Sequence, residues 1–212
     1  MLQEQTAQTI KFYSQYGKRI FDIVGALLLL FITIPLMLVV FLILLISTGR
    51  PVFFKQIRTG QDHQRFVIWK LRTMTIQVVP VNMPIMCAEG IPDDYFFKTE
   101  QDVRITKVGA VLRKLSIDEI PQLINVLKGD MSIVGPRPEV PTITNAYNTL
   151  QARRLEVKPG LTGLAQINGR SNISHGQKIS YDLEYVDCYS FWMDFKIIIK
   201  TLYVVLARTG AY

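Results

Sequence analysis

The sequence predicts a mostly helical α/β fold in two parts, an apolar membrane segment within residues 1–49 and a folded domain over residues 50–212. The first observation is a run of 27 residues without a charge between Asp22 and Arg50. About 20 such residues are enough for a helix to cross a bilayer. The second observation is that, after Arg50, short strand-like apolar runs precede stretches with helical periodicity.

The composition narrows the class of protein. Of the 212 residues, 49% are hydrophobic and 19% are charged, which excludes an intrinsically disordered chain. A single long apolar run excludes a multispanning transporter. Cys87 and Cys188 form no CxxC pattern, and His63 and His175 are the only histidines, so neither a disulfide framework nor a transition-metal site is predicted. The formal net charge of +7 predicts an anionic partner, either lipid headgroups, a phosphorylated substrate or nucleic acid.

Pro35 lies almost at the centre of the uncharged run and removes a helical hydrogen bond there. Each half is about 18–21 Å long as a helix, shorter than a hydrocarbon core of about 30 Å. Basic residues, which are enriched on cytoplasmic flanks, stand on both sides: Lys11, Lys18, Arg19, Arg50, Lys55, Arg58 and Arg65. These observations favour a hairpin that enters and leaves on the cytoplasmic side. A spanning helix with a tolerated proline kink is the alternative.

The domain after Arg50 is predicted to combine a strand pair with several helices. Residues 53–54 and 66–69 are strand-like, with a turn at Gly60 between them. Helices are predicted at 105–115, 118–127, 142–156 and 181–206, non-helical backbone at 133–141, a structured loop at 158–170, and a long loop or insertion at 75–101. The last stretch has an apolar face that belongs either to the core or to a membrane interface: Phe191, Trp192, Phe195, Ile198, Ile199, Leu202 and Tyr203.

The strongest candidate for chemistry is the stretch RKLSIDE, residues 113–119. Its local interpretation is a capping box, in which Ser116 and Glu119 begin a helix. Its functional interpretation uses the same geometry, because a helix N-terminus binds phosphate and Arg113 can donate to phosphate oxygens. The neighbouring carboxylates Asp118 and Glu119 are then candidates for two roles, a nucleophile on phosphorus and a ligand of Mg²⁺, and the residues alone leave open which acid takes which role.

Two further motifs supply cations. In Gly135-Pro136-Arg137-Pro138, two prolines fix the backbone around Arg137. That pattern is typical either of a rigid surface turn or of a guanidinium preorganised for phosphate. Lys70 and Arg72 follow the membrane segment, so they contact either lipid headgroups or a phosphorylated substrate.

Six motifs occur in order over residues 18–74 and 102–202: KRIFDIVGALLLL, PVFFKQIRTG, FVIWKLRTM, RITKVGAVLRKLSIDEIPQLINVLKGDMSIVGPRPE, KPGLTGLAQINGR and DLEYVDCYSFWMDFKIIIKTL. Together they closely resemble the bacterial sugar transferases, the small monotopic polyprenyl-phosphate phosphoglycosyl transferases. The departures are minor, such as Asp102-Val103-Arg104 where the family often has Asp-Pro-Arg. Residues 75–101 match nothing in the family pattern, which leaves the sugar open.

The resemblance implies a re-entrant helix-break-helix at Pro35 and a catalytic domain with amphipathic interfacial helices, on the cytoplasmic face of the bacterial inner membrane. The implied reaction transfers a sugar-1-phosphate from a UDP-sugar to a polyprenyl phosphate such as undecaprenyl phosphate. It gives UMP and a polyprenyl-diphosphate-sugar, in the first membrane step of a surface glycan or glycoprotein pathway. By resemblance, Asp118 forms a phosphosugar-aspartyl intermediate, and Glu119 is associated with Mg²⁺. Phosphate contacts are expected from four cations: Lys70, Arg72, Arg113 and Arg137.

The alternative to this enzyme is a non-catalytic, membrane-anchored scaffold that binds lipid phosphate. In that protein Asp118 and Glu119 serve only to cap a helix. A nucleic-acid binder is disfavoured, because the basic residues cluster beside the membrane segment and no recognition motif is present. The sequence leaves open the sugar, the glycan pathway and whether the chain forms a homo-oligomer.

Overall fold

A computed structural model describes residues 13–75, 90–96, 104–169 and 172–206. After a short π-helix at Tyr13–Gly17, helix α1 covers Lys18–Thr48. It is long and apolar enough to cross a membrane, by length and composition alone. The helix continues through Pro35, so no interruption is shown there, and re-entry into the membrane stays a prediction.

Both halves of α1 pack on the rest of the protein. Near its start, the Asp22 carboxylate accepts hydrogen bonds from the Ser132 hydroxyl at 2.8 Å and from the backbone N–H of Ile133 at 2.9 Å. Ala26 is buried in the main hydrophobic core. In the second half, Val40 and Leu44 belong to a separate apolar cluster with three residues from later in the chain: Val52, Leu71 and Leu112.

The predicted strand pair is confirmed as an antiparallel hairpin of β1 (Phe53–Thr59) and β2 (Arg65–Leu71). Its register pairs Phe53 with Leu71 and Thr59 with Arg65. The turn contains a short 3₁₀ segment at Gln61–His63, where Asp62 has a φ of 50°. Aspartate is one of the few side chains that adopts such a left-handed backbone readily.

The next two predicted helices are present with shifted limits. Helix α2 covers Lys107–Lys114, and its N-cap Thr106 accepts a hydrogen bond from the N–H of Gly109 at 2.9 Å. The predicted helix at 118–127 divides into a 3₁₀ helix, Ile117–Gln122, and helix α3, Leu123–Lys128. Pro121 lies within the 3₁₀ helix, and a proline is tolerated only in the first turn of an α-helix, which explains the late start of α3.

Two predictions for the middle of the chain need correction. Residues 142–156 do not form one helix but three short pieces, α4 (Pro141–Thr144), α5 (Thr149–Ala152) and a 3₁₀ turn (Arg153–Leu155). The loop predicted at 158–170 contains strand β4 (Gly160–Thr162) and helix α6 (Leu164–Ile167). Strand β4 pairs in parallel with β3 (Ser132–Val134). The backbones come so close that a Cβ atom on Gly160 would lie 2.0 Å from the nitrogen of Gly135.

The C-terminal stretch forms two helices, α7 (His175–Cys188) and α8 (Phe191–Leu206). Ile197 on α8 is buried in the main core. Of the predicted apolar face, Ile198 packs half-buried against that core. Core burial is wrong for the other members, which form an exposed stripe: Phe191, Trp192, Phe195, Ile199, Leu202 and Tyr203. This stripe suits a membrane interface, which stays a prediction.

Candidate active site

Asp118 and Glu119 lie in the 3₁₀ helix between α2 and α3, at the centre of a charged cluster. The Asp118 residue is only 8% exposed. Both oxygens of the Glu119 carboxylate accept hydrogen bonds from Arg137, at 2.6 Å and 3.2 Å. The Lys70 ammonium donates to one of the same oxygens at 2.8 Å. The structure thus brings together four of the predicted site residues: Lys70, Asp118, Glu119 and Arg137.

The predicted capping box is wrong. Ser116 has a left-handed backbone with a φ of 56°, and its side chain makes no capping hydrogen bond. Only the backbone link remains, in which the N–H of Glu119 donates to the carbonyl of Ser116 at 3.3 Å. The Glu119 side chain points to Lys70 and Arg137 instead. Charge-assisted hydrogen bonds of this kind are about twice as strong as a neutral cap, which explains the outcome.

The alternation of side chains along β2 points Lys70 toward the neighbouring acids Asp118 and Glu119, called the dyad below. Successive side chains of a strand point to opposite faces, so Lys70 shares a face of β2 with Ile68, which is buried in the main core. Asn125 of α3 fixes this strand by donating to the carbonyl of Val67 at 2.8 Å and accepting from the N–H of Trp69 at 3.3 Å. The Lys70 ammonium therefore approaches Glu119 from a strand whose backbone is held by Asn125.

The two acids of the dyad are shifted in opposite directions. Burial and the neighbouring charge of Glu119 raise the pKa of Asp118 above its ordinary value, against the opposing pull of nearby cations. Burial alone would also raise the pKa of Glu119, but Arg137 and Lys70 lower it far below the usual range. Glu119 therefore stays ionised, and Asp118 is the more basic of the two carboxylates. Opposite shifts in neighbouring acids are a common sign of divided roles in catalysis.

The other two predicted cations lie in different surroundings. Arg113, in the last turn of α2, contacts the sulfur of Met74 at 3.5 Å and lies near enough to lower the pKa of Asp118. Arg72 is 8% exposed and donates to three successive carbonyls at the end of α1, those of Thr48, Gly49 and Arg50. Basic side chains near a helix C-terminus satisfy its free carbonyls. These contacts favour a structural role for Arg72, and phosphate binding by it stays a prediction.

Mg²⁺ suits this site in ligand type, because it prefers carboxylate oxygens and shares them with substrate phosphates. As described, however, both Glu119 oxygens already accept hydrogen bonds from Arg137, and one also from Lys70. Within the described residues there is also no group of three or more potential ligand side chains. The Glu119 carboxylate therefore has the right ligand chemistry for magnesium, but its oxygens are engaged by Arg137 and Lys70 in this structure, and magnesium binding stays a prediction.

A groove of about 290 Å³ lies elsewhere, between the hairpin turn and the end of α3. Its lining includes Gly60, Asp62, Arg65, Asp130 and Lys158. None of the predicted site residues lines it.

Sequence analysis missed a second charged cluster next to the first. Arg154 and Asp182, each 1% exposed, form an ion pair at 2.6 Å, and Glu139 lies between Lys178 and Arg58. Charged side chains are almost never fully buried without a partner, but the sequence does not show which of them are buried. The acid at position 182 stands in an otherwise amphipathic stretch whose burial only the tertiary structure reveals.

Buried carboxylates with perturbed pKa values and convergent cations are typical of an enzyme active site, and the cations favour an anionic substrate. A family model described as bacterial sugar transferase matches residues 13–208. The chain belongs to this family, and it is a phosphoglycosyl transferase.

The chain is 45% identical over 91% of its length to the sugar transferase EpsL of Bacillus subtilis, of which it covers 89%. It is 40% identical over 94% of its length to the undecaprenyl-phosphate galactose phosphotransferase of Salmonella typhimurium, covering 42% of that protein. It is also 38% identical to the UDP-glucose:undecaprenyl-phosphate glucose-1-phosphate transferase of Klebsiella pneumoniae, over 92% of this chain and 41% of the relative. The chain thus spans less than half of the latter two relatives.

Proposed function

We propose that this protein transfers a sugar-1-phosphate from a UDP-sugar to a polyprenyl phosphate such as undecaprenyl phosphate, releasing UMP. The names of the Salmonella and Klebsiella relatives support the acceptor and the kind of reaction. The observation that carries the proposal is the buried Asp118 beside a carboxylate that holds two cations, Lys70 and Arg137. The product would begin the assembly of a surface glycan or glycoprotein.

The proposed chemistry has two displacements at one phosphorus. An Asp118 oxygen attacks the sugar-bearing phosphorus of the donor. The bond between that phosphorus and the oxygen of UMP breaks, and UMP leaves. An oxygen of the lipid phosphate then attacks the same phosphorus, and the bond to Asp118 breaks. The raised pKa of Asp118 makes its carboxylate a better nucleophile once ionised. Arg137 and Lys70 would turn from Glu119 to the phosphate oxygens and stabilise the charge that develops there.

Mg²⁺ is proposed as the cofactor, held by Glu119. Such an ion would neutralise part of the charge of the phosphate groups. Arg113 is proposed as a further phosphate contact, because its charge already reaches Asp118 from the end of α2.

We propose that α1 re-enters the membrane from the cytoplasmic face of the bacterial inner membrane. A straight helix of 31 residues is about 46 Å long and would separate its ends across a bilayer. Here Lys18, at the start, donates to the carbonyl of Val134 at 3.0 Å, while Leu44, near the end, packs with Leu71. Attachment of both ends to the same domain supports re-entry at Pro35. The exposed stripe of α8 would then lie in the membrane interface.

The decisive assay measures UMP release from a panel of UDP-sugars by the protein in nanodiscs containing undecaprenyl phosphate. We expect release with at least one donor, dependent on both lipid and Mg²⁺. Donor with a labelled β-phosphate, offered without acceptor, should label Asp118, as located by peptide mass spectrometry. Asp62→Asn, at an exposed turn, serves as the matched control and should keep the label. Absence of UMP with every donor would contradict the proposed reaction.

A further inference from the structure

We infer that Arg154 is a positioning residue that fixes the backbone carrying Arg137, so that the Arg137 guanidinium is aimed at the phosphate site. The inference rests on the proposed function, and it assigns a role to the second charged cluster. Arg137 lies on the backbone segment of residues 136–139.

Four consecutive carbonyl groups of this segment each accept a hydrogen bond from elsewhere in the fold. Pro136 accepts from the N–H of Gly160 at 2.9 Å, and Glu139 accepts from the N–H of Thr59 at 2.9 Å. Between them, Pro138 accepts from the Arg58 guanidinium at 3.1 Å, and Arg137 accepts from the Arg154 guanidinium at 2.9 Å. The hydrogen bond from Arg154 is the one made to Arg137 itself.

Arg154 reaches that carbonyl because its own position is fixed on several sides. One terminal nitrogen donates to the Tyr147 hydroxyl at 2.6 Å, and the other contacts both the Asp182 carboxylate, at 2.6 Å, and the Arg137 carbonyl. The planar guanidinium serves these three partners at once from two separate nitrogens, and the compact ammonium of a lysine does not reproduce this fork geometry. Arg154 is only 1% exposed, so solvent does not compete for its hydrogen bonds.

The charges around Arg154 keep it ionised. Burial alone would lower its pKa, but Asp182, Tyr147 and Glu139 raise it further above the ordinary arginine value. Glu139 lies 3.8 Å from Arg154 and is itself contacted by Lys178. A buried ion pair is weak evidence for stability, and fixing a geometry is a better supported use of one.

The Arg137 side chain has the opposite character, because 42% of it is exposed and Glu119 is its ion-pair partner. Its direction therefore depends on a fixed backbone rather than on packing around the guanidinium. A displacement of about 1 Å in a group that stabilises a transition state can cost about 100-fold in rate. Loosening Arg154 should accordingly lower turnover through Arg137.

A double-mutant cycle tests this, using Arg154→Lys and Arg137→Ala alone and together in the UMP-release assay. We expect Arg154→Lys to lower kcat about 10- to 100-fold. In the Arg137→Ala background, the same change should lower kcat less than about twofold, since the group it positions is absent. Arg153→Lys is the matched control, because Arg153 is a neighbouring arginine that pairs with Glu156 and Asp187 outside this cluster. It should leave kcat unchanged.

Equal fold losses in the two backgrounds would overturn the inference and indicate a purely structural role. If Arg154→Lys fails to fold, as judged by its melting temperature, Tyr147→Phe replaces it, because this change removes one hydrogen bond and leaves the charges paired. The same cycle applied to the Kd for UDP gives a readout without turnover. A wild-type protein that neither releases UMP nor binds UDP would overturn the proposed function as well. An active wild type in which the losses of kcat from the two substitutions are additive would overturn this inference alone.

Discussion

Two clusters of ion pairs lie on either side of Arg137, and they differ in their access to solvent. In the active-site cluster, Glu119 is 15% exposed and Arg137 is 42% exposed. In the supporting cluster, Arg154 and Asp182 are each 1% exposed. Both consist of carboxylates and basic side chains at close range. The difference supports the two proposed roles, in which the first cluster exchanges its partners for phosphate and the second holds the backbone in place.

The largest expected effect is that of Asp118→Asn on activity. Loss of the nucleophile should lower UMP release at least about 10³-fold. The same change should raise the free energy of unfolding at neutral pH by about 1 kcal/mol, because burial and Glu119 disfavour the Asp118 charge in the fold. Activity assays and chemical denaturation in the same detergent check both parts. A variant that retains turnover would contradict the covalent mechanism.

In the supporting cluster, the corresponding change is Asp182→Asn, and it should act first on stability. It leaves the buried Arg154 guanidinium without its closest carboxylate, which costs about 3 kcal/mol when a buried pair is broken. Denaturant midpoints measure this loss. Asp187→Asn is the matched control, since Asp187 pairs with Arg153 at the surface, and such pairs contribute at most about 1 kcal/mol. Similar losses in both variants would remove the distinction between the clusters.

As pH falls, activity should be lost at a higher pH than stability. The raised pKa of Asp118 means that its reactive carboxylate is lost, as pH falls, at a higher pH than for an ordinary aspartate. Burial would raise the pKa of Glu139, but Lys178, Arg154 and Arg58 lower it to about 2. The stability from Glu139 is therefore complete above its unfolded pKa of about 4.3 and is lost as pH falls towards about 2. Parallel profiles of kcat/KM and unfolding midpoint should show activity failing first; coincident profiles would contradict this order.

The sequence predicts the local and motif-based parts of this molecule well. Turn residues and strand-like runs identified the β1–β2 hairpin. The assignment of Asp118 and Glu119 to an active site, which rests on the resemblance, stays a prediction. The errors concern residues whose contacts come from distant parts of the chain. Ser116 and Glu119 have the spacing of a capping box, but the partners of Glu119, Lys70 and Arg137, lie 49 and 18 positions away. No local pattern encodes that competition.

The smallest effect on activity is expected for Arg72, the predicted site residue that lies apart from both clusters. Its guanidinium lies against the Gly49 and Arg50 carbonyls, at 2.8 Å and 3.2 Å, like a C-terminal cap of α1. Arg72→Ala should lower the free energy of unfolding by about 2 kcal/mol, because these carbonyls at the end of α1 lose a charged donor. At a temperature where the variant is fully folded, kcat/KM should change less than about threefold, whereas Lys70→Ala should lower it by about 10²-fold. A loss for Arg72→Ala as large as that for Lys70→Ala, with stability unchanged, would instead assign Arg72 to the phosphate site.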